Sequence, residues 1–277
     1  MTTPPTKPPA VPSPMQSPAT WDTVASGYAE QIASHTVKYC EEALRIVPLA
    51  PTDRVLDVAC GPGSLAFLTA PRVAHVDAVD FAPGMVSEVT ARATRDGVGN
   101  VAAAVMNAQE LGFDGCTFDA AFCFFAFMFF PDRARAFGEL YRVLKPGGRA
   151  LVATWAPIDK RPLMRLGFEA MAEALPQLPL PLKGDLQAPD DCIREMSAAG
   201  FRAVECRPFS ASLRIASPED YLKMIERTGP GLDLAKKAIG EAAWASASAR
   251  MLDSLRRRIL AGGTDLSAEA LLTNGVR

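Results

Sequence analysis

The sequence predicts an α/β fold: a doubly wound, largely parallel sheet with helices on both faces. Three observations predict it. Short, β-prone apolar runs recur at 55–59, 75–80, 101–106, 118–124 and 150–155. Segments long enough for a helix, such as 84–95 and 132–144, lie between them. The first run also passes straight into a glycine turn, VLDVACGPGSLA (55–66), followed by a helical pattern. Strands that alternate with helices pair in parallel through right-handed crossovers, so the expected sheet is Rossmann-like.

The remaining elements follow in order. Residues 1–19 are rich in Pro, Thr and Ser, with neither an apolar core nor a helical period, and are expected to form a disordered tail. From 21 to 47 apolar residues recur at three- and four-residue spacing and Pro48 stops the pattern, which makes 20–48 a set of helices ahead of a main domain at 49–277. Beyond Trp155 come a helical stretch at 162–175, a proline-rich connection at 176–189 and a helix at 190–199 closed by Gly200. FRAVECRPF (201–209) reads as a sixth strand and EALLTNGVR (269–277) as a seventh. The stretch between them is helical in character and predicts an insert at about 212–262, with Arg256 to Arg258 on a solvated face. Such an insert sits near the carboxyl ends of the strands, where open α/β sheets bind ligands, and serves as a lid or a dimer interface.

Composition narrows the partners. The chain has 277 residues, 49% of them hydrophobic, enough for a large core. Its net charge of −2 leaves no clustered cationic footprint for nucleic acid. The longest apolar run, 120–130, is far short of the ~20 residues that cross a bilayer. Six cysteines without a C-x-x-C pair favour reduced thiols in a cytoplasmic protein over disulfides or a metal site. The expected partner is a small molecule.

The glycine turn by itself leaves its ligand open. Gly61-x-Gly63-x-x-Ala66 fits the dinucleotide fingerprint as well as it fits other adenosine cofactors. Asp80, about twenty residues on, suits ribose hydroxyls in either case. Asp57 is more telling, because it stands inside the first strand where a dinucleotide fold spends an apolar residue on packing. A carboxylate there braces the turn's amides or reaches a ligand ammonium through water.

The segment resembles motif I of the class I S-adenosylmethionine-dependent methyltransferases, in the ubiquinone/menaquinone-biosynthesis-like branch. Further stretches resemble that family in the same order: WDTVASGYAE (21–30), VDAVDFAPGMV (76–86), VMNAQELGFDGCTFDAAFCFFAFMFFPD (105–132) and LYRVLKPGGRALVATW (140–155). The resemblance spans roughly 21–157. It implies a seven-stranded sheet of order 3-2-1-4-5-7-6 with the last strand antiparallel, N-terminal cap helices and S-adenosylmethionine as cofactor, left as S-adenosylhomocysteine. It also implies a cofactor site of Tyr28, Asp57, Ala59, Cys60, Gly61, Gly63, Asp80, Phe81, Met85, Asn107, Ala108, Gln109, Cys123 and Phe124. In it the amides around Gly61 to Ser64 meet the methionine carboxylate, Asp80 takes the ribose, and Phe81, Met85 and Leu111 hold the adenine. Two positions depart from the family pattern. Asn107 stands where an Asp commonly accepts from the adenine amino group, and Ala59 replaces a usual glycine.

Methyl transfer from a sulfonium releases a neutral thioether, so the chain must mainly align the reactants and exclude water. A base is needed only for an acceptor that must lose a proton. The chain has two histidines. His75 opens the second strand, away from its carboxyl end, whereas His35 lies in the cap and is the candidate base. Phe127, Phe130 and Trp155 are the expected wall of an apolar or aromatic substrate pocket. Two rivals stand beside this reading. A nicotinamide-dependent oxidoreductase is disfavoured because no hydride-handling Ser/Tyr/Lys or His/Asp motif follows the turn; the other rival is a cofactor-binding module that transfers no methyl group.

Overall fold

The computed structural model describes residues 13–177, 185–262 and 265–277. Its centre is a seven-stranded sheet of order β3-β2-β1-β4-β5-β7-β6. The strands are β1 (Arg54–Val58), β2 (His75–Asp80), β3 (Val101–Val105), β4 (Phe118–Phe124), β5 (Leu144–Trp155), β6 (Arg202–Arg214) and β7 (Asp265–Val276). β1 to β5 pair in parallel, and β7 runs antiparallel to both β5 and β6. Fold class and strand order agree with expectation.

Side-chain alternation explains why the central strands read as nearly continuous apolar runs: both faces are buried. Val55, Val76, Ala120, Phe122 and Leu151 pack with Tyr39, Cys40 and Ala43 of α3 (Ala33–Ile46) and with Leu65 and Ala66 of α4 (Ser64–Thr69). Leu56, Val58, Ala121, Cys123 and Val152 face the other way, onto Phe137 and Leu140 of α6 (Arg133–Val143) and Met196 of α8 (Pro189–Ala198).

At the far edge the sheet changes character. β5 ends at Trp155 opposite Ala270, but β6 and β7 continue paired as far as Arg214 and Asp265. This ribbon overhangs the carboxyl edge of the parallel strands. It carries α9 (Pro218–Thr228), α10 (Pro230–Ile239) and α11 (Glu241–Gly262), which share a separate core with α7 (Pro162–Ala174), including Leu166, Ala170, Tyr221, Leu222, Trp244 and Met251. The three consecutive arginines of α11 are paired as well as solvated. Arg256 bonds Glu219 of α9, while Arg257 and Arg258 bond Glu173 and Glu169 of α7.

The N-terminal helices dock on this insert and on the sheet. Asp22, the last residue of α1 (Pro18–Asp22), accepts from the Gly84 N–H at 2.7 Å, at the start of α5 (Pro83–Asp96). Gly27 of α2 (Ala25–Gln31) lies against the backbone of α9, and Arg227 pairs with Glu30 at 2.6 Å.

Three expectations need correction. Residues 13–19 of the expected tail are built into the fold, through a 3-10 turn at Pro14–Gln16 capped by Ser13 and the bond from Trp21 Nε1 to the Met15 carbonyl; residues 1–12 lie outside the described residues. β5 begins at Leu144, which already pairs with Phe118, and the left-handed Gly147 (φ 81°) hid that continuity. The ribbon extends both outer strands, so the helical insert starts beyond Arg214 and not at 212. The proline-rich connection falls partly on 178–184, outside the described residues.

A Cβ at Gly27 would stand 2.1 Å from the Arg227 carbonyl oxygen. Gly27→Ala is therefore expected to force α2 and α9 apart and to cost about 1–3 kcal/mol, the range of overpacking. Chemical denaturation, with hydrogen exchange of α2 and α9, measures both effects.

Candidate functional site

The glycine turn between β1 and α4 is held from below by a buried carboxylate. Asp80, 6% exposed at the end of β2, accepts from the Gly61 N–H at 2.9 Å and from the Ala82 N–H at 2.9 Å. Burial raises its pKa despite these bonds. Asp57, 2% exposed, accepts from the Ala66 N–H at 3.1 Å and so braces α4; burial pushes its pKa up to about 8. Among the described residues neither carboxylate has an ion-pair partner. Two buried acids beside one turn make a site that favours a cation and disfavours a pyrophosphate.

The turn's amides strengthen that preference. Gly61 donates to Asp80, Gly63 (φ 82°) donates to the Cys60 carbonyl at 3.0 Å, and Pro62 has no N–H. Two of the amides expected to meet a carboxylate are thus turned inward. A Cβ placed on Gly61 would meet nothing within 4 Å, so the turn opens onto free space. Ala59 takes φ 52°, a left-handed conformation that costs a non-glycine residue about 1–2 kcal/mol. Cys60 and Cys123 are buried, and burial raises both thiols, with Asp57 and Asp80 adding to the effect.

Around the end of β2 a small apolar cluster brings Phe81 and Met85 together with Val24, Ala25, Trp21 and Tyr28 of the N-terminal helices. Burial pushes the Tyr28 hydroxyl up to about 12, so it stays protonated. Trp21 meets Tyr28 edge-on at 6.1 Å and Phe129 at 5.5 Å. Trp21 and Phe129 thereby extend this cluster. Ala108 and Leu111 are buried on the α6 side of the sheet. Asn107 is exposed, and its Oδ1 accepts from the Gln109 N–H at 3.0 Å in an Asx turn. Gln109 in turn accepts from the Asp132 N–H at 2.7 Å, so the Asn107 oxygen is spent on holding its own loop.

The aromatic run FCFFAFMFF divides between the two sides of the sheet. Phe127, 0% exposed, lies in the core at 4.2 Å from Phe137, and Phe130 packs on it at 5.0 Å. This corrects the expected pocket wall: Phe127 fills the layer under α6, with half-buried Phe130 beside it. Trp155 is on the opposite face, stacked on Phe125 at 3.8 Å with an interplanar angle of 11°. Phe125 was missed because alternation from Phe124 directs its side chain to the other face. Its φ of 58° breaks the alternation, and both rings reach the α3 side. Tyr39 presents its ring edge-on to Phe125, Trp155 and Phe209, and its hydroxyl donates to the Ala268 carbonyl at 2.7 Å.

His35 joins this aromatic group, edge-on to Tyr39 at 5.4 Å. It is 6% exposed, Nε2 lies 3.5 Å from the Tyr39 hydroxyl, and the buried Nδ1 has no partner. Burial, then the nearby Lys38, lowers its pKa to about 4, so the ring is neutral at physiological pH.

Residues 55–148 match the family model described as a methyltransferase domain. The chain is 30% identical over 166 residues to aklanonic acid methyltransferase DauC of Streptomyces sp., covering 54% of this chain and 74% of that protein. The chain belongs to the class I S-adenosylmethionine-dependent methyltransferases. It is also 35% identical over 142 residues to ubiquinone/menaquinone biosynthesis C-methyltransferase UbiE of Rhizobium etli, covering 50% of this chain and 55% of that protein. The fold is shared with the YcgJ protein of Bacillus subtilis, with a TM-score of 0.59 at 22% identity over 88% of this chain and 98% of that one. The family's cofactor is S-adenosylmethionine, and this chain's residues fit it. Two buried carboxylates without an ion-pair partner, Asp57 and Asp80, suit a group that carries net positive charge, and the Gly61 turn opens onto free space beside them.

Two outcomes follow from these placements. Phe127→Ala is expected to cost about 3–5 kcal/mol of stability, as for a fully buried aromatic, while purified folded protein keeps its cofactor affinity; urea unfolding and calorimetry separate the two. For His35 the unfolded chain takes up a proton as pH falls through about 6.5, whereas the folded protein resists down to about 4. Its contribution is therefore fully present above pH 6.5 and is lost as pH falls toward 4. Relative to His35→Phe, wild type should lose up to roughly 3 kcal/mol between pH 7 and pH 4, read by urea unfolding at each pH.

Proposed function

We propose that the protein transfers a methyl group from S-adenosylmethionine to an apolar or aromatic small molecule, in specialised metabolism. The observation that carries the cofactor assignment is the pair of buried, cation-free carboxylates at the glycine turn. The relatives are named for aklanonic acid and for ubiquinone/menaquinone biosynthesis, which accords with a small organic acceptor.

When bound, the cofactor supplies a methyl group on a positively charged sulfur. The protein's own work is then binding, orientation and exclusion of water. Asp80 keeps lone pairs free beyond the two it gives to Gly61 and Ala82, and these accept from ribose hydroxyls. Asp57 braces the loop through Ala66, and because burial pushes its pKa up to about 8, a cationic group brought beside it favours its ionised form. Phe81, Met85 and Tyr28 enclose the adenine, while Phe124, with Cys123 buried before it in β4, lies beneath the methionine moiety. Phe125 and Trp155, which Tyr39 backs edge-on from the core, form the apolar wall for the acceptor. Helices α2 and α9 to α11 roof it, and the docking of α9 on α2 favours a lid over a dimer interface for the insert. Fixing two reactants in line in this way is worth about 7–11 kcal/mol of barrier. His35 stays neutral with Nδ1 unpartnered, but the burial that lowers its pKa to about 4 opposes the protonation a general base needs. A site in the cytoplasm suits the six free cysteines, and no helix among the described residues is long and apolar enough to cross a membrane.

Calorimetric titration with S-adenosylmethionine, S-adenosylhomocysteine and NADH tests the assignment. Both sulfur nucleosides should bind and NADH should not. Asp80→Asn should weaken them about tenfold to a hundredfold, the loss expected for hydrogen bonds to a charged group. Binding of NADH alone would return the turn to the dinucleotide reading, and nucleoside binding without turnover across acceptor classes would favour a binding module.

A further inference from the structure

Arg161 stands apart from the other cations of the molecule. It is the single Lys or Arg in the buried set among the described residues, 5% exposed. It lies at the start of α7, six residues beyond Trp155, where the chain leaves the carboxyl end of β5. Its Nε is buried without a hydrogen-bond partner, and its Nη1 reaches only the Met164 thioether at 3.3 Å. A thioether is a weak acceptor. Asp159 lends some distant attraction but forms no ion pair with it, and the first turn of α7 contains no acid.

The neighbouring arginines show what a purely structural role looks like in this part of the fold. Arg256, Arg257 and Arg258 each meet a carboxylate of α7 or α9 and remain partly in water. Arg161 has given up water and received no carboxylate in return. Burying an unpaired guanidinium costs several kcal/mol, so an arrangement of this kind is completed when an anion arrives. The guanidinium fork matches a carboxylate with two parallel N–H donors, here Nε and an Nη. The location selects the source. The cofactor's charged end belongs beside Asp57 and the β1 turn, whereas Arg161 follows β5, on the side of Trp155 and the helical insert.

We propose that Arg161 recognises a carboxylate carried by the methyl acceptor, making the substrate class an apolar or aromatic carboxylic acid and Arg161 its specificity residue. This rests on the methyltransferase reading above.

The test uses the full chain loaded with S-adenosylhomocysteine, titrated with 2-naphthoate and with its neutral isostere 2-naphthamide, and read by thermal unfolding and calorimetry. Wild type should be stabilised by the carboxylate and not by the amide. Arg161→Met should lose that preference, with naphthoate affinity falling about thirtyfold or more. Arg161→Lys, which keeps the charge but not the fork, should fall between. Without ligand, Arg161→Met should unfold at or above the wild-type temperature, because it removes an unpaired buried charge; a structural arginine predicts a clear drop. Wild type indifferent to naphthoate, equal response to the amide, or a destabilised Arg161→Met with Arg161→Lys binding naphthoate like wild type would each overturn the proposal. A loss of S-adenosylhomocysteine affinity in Arg161→Met would also overturn it, by assigning the guanidinium to the cofactor's carboxylate. Failure of wild type to bind S-adenosylhomocysteine would instead defeat the methyltransferase reading itself.

Discussion

Everything at the carboxyl edge of the sheet depends on the Asp80 carboxylate and the two backbone amides it gathers. By bonding Gly61 and Ala82 together, it ties the β1 turn to the corner between β2 and α5. That corner is also where Asp22 fastens α1 to Gly84. One buried acid therefore sets the position of the glycine turn, of the apolar cluster around Phe81 and Met85, and indirectly of the N-terminal helices packed on them. Its burial without an ion-pair partner raises its pKa, so positive charge nearby favours its ionised form.

The aromatic group around Tyr39 is the counterpart on the α3 face of the sheet. Tyr39 belongs to an N-terminal helix, yet its ring meets Phe125 just after β4 and residues of β5 and β6, and its hydroxyl reaches β7. The shape of the apolar wall thus depends on residues separated by more than half the chain. It is built from rings that pack edge-on or stacked, so a single substitution there changes the shape of several neighbours.

Much of this was legible in the sequence. Period and punctuation placed β1 to β4 to within a residue at each end, because each is a short apolar run bounded by a turn, whereas β5 was found only from 150 onward. Asp57, Gly61, Gly63 and Asp80 were marked by residue types that a strand–turn–helix junction does not need for packing. What escaped was non-local or conformational. Nothing in local composition distinguishes core Phe127 from wall-forming Phe125; the difference is a single left-handed φ at Phe125, and only the fold shows which side each ring takes. The overhang of β6 and β7 escaped because its extra pairs are made between segments fifty residues apart. Arg161 escaped for a similar reason: an arginine ahead of a helix reads as a surface residue until its surroundings are known.

The overhanging ribbon has a consequence for how such a protein changes over time. The matched methyltransferase domain spans 55–148, whereas α7 and the helices borne by the ribbon lie beyond it and pack chiefly on one another. Their core can be rebuilt without disturbing Asp57, Asp80 or the glycine turn. Substitutions in that core repack α7 and α9 to α11 against one another, so a lineage can vary these helices while the residues of the matched domain stay as they are.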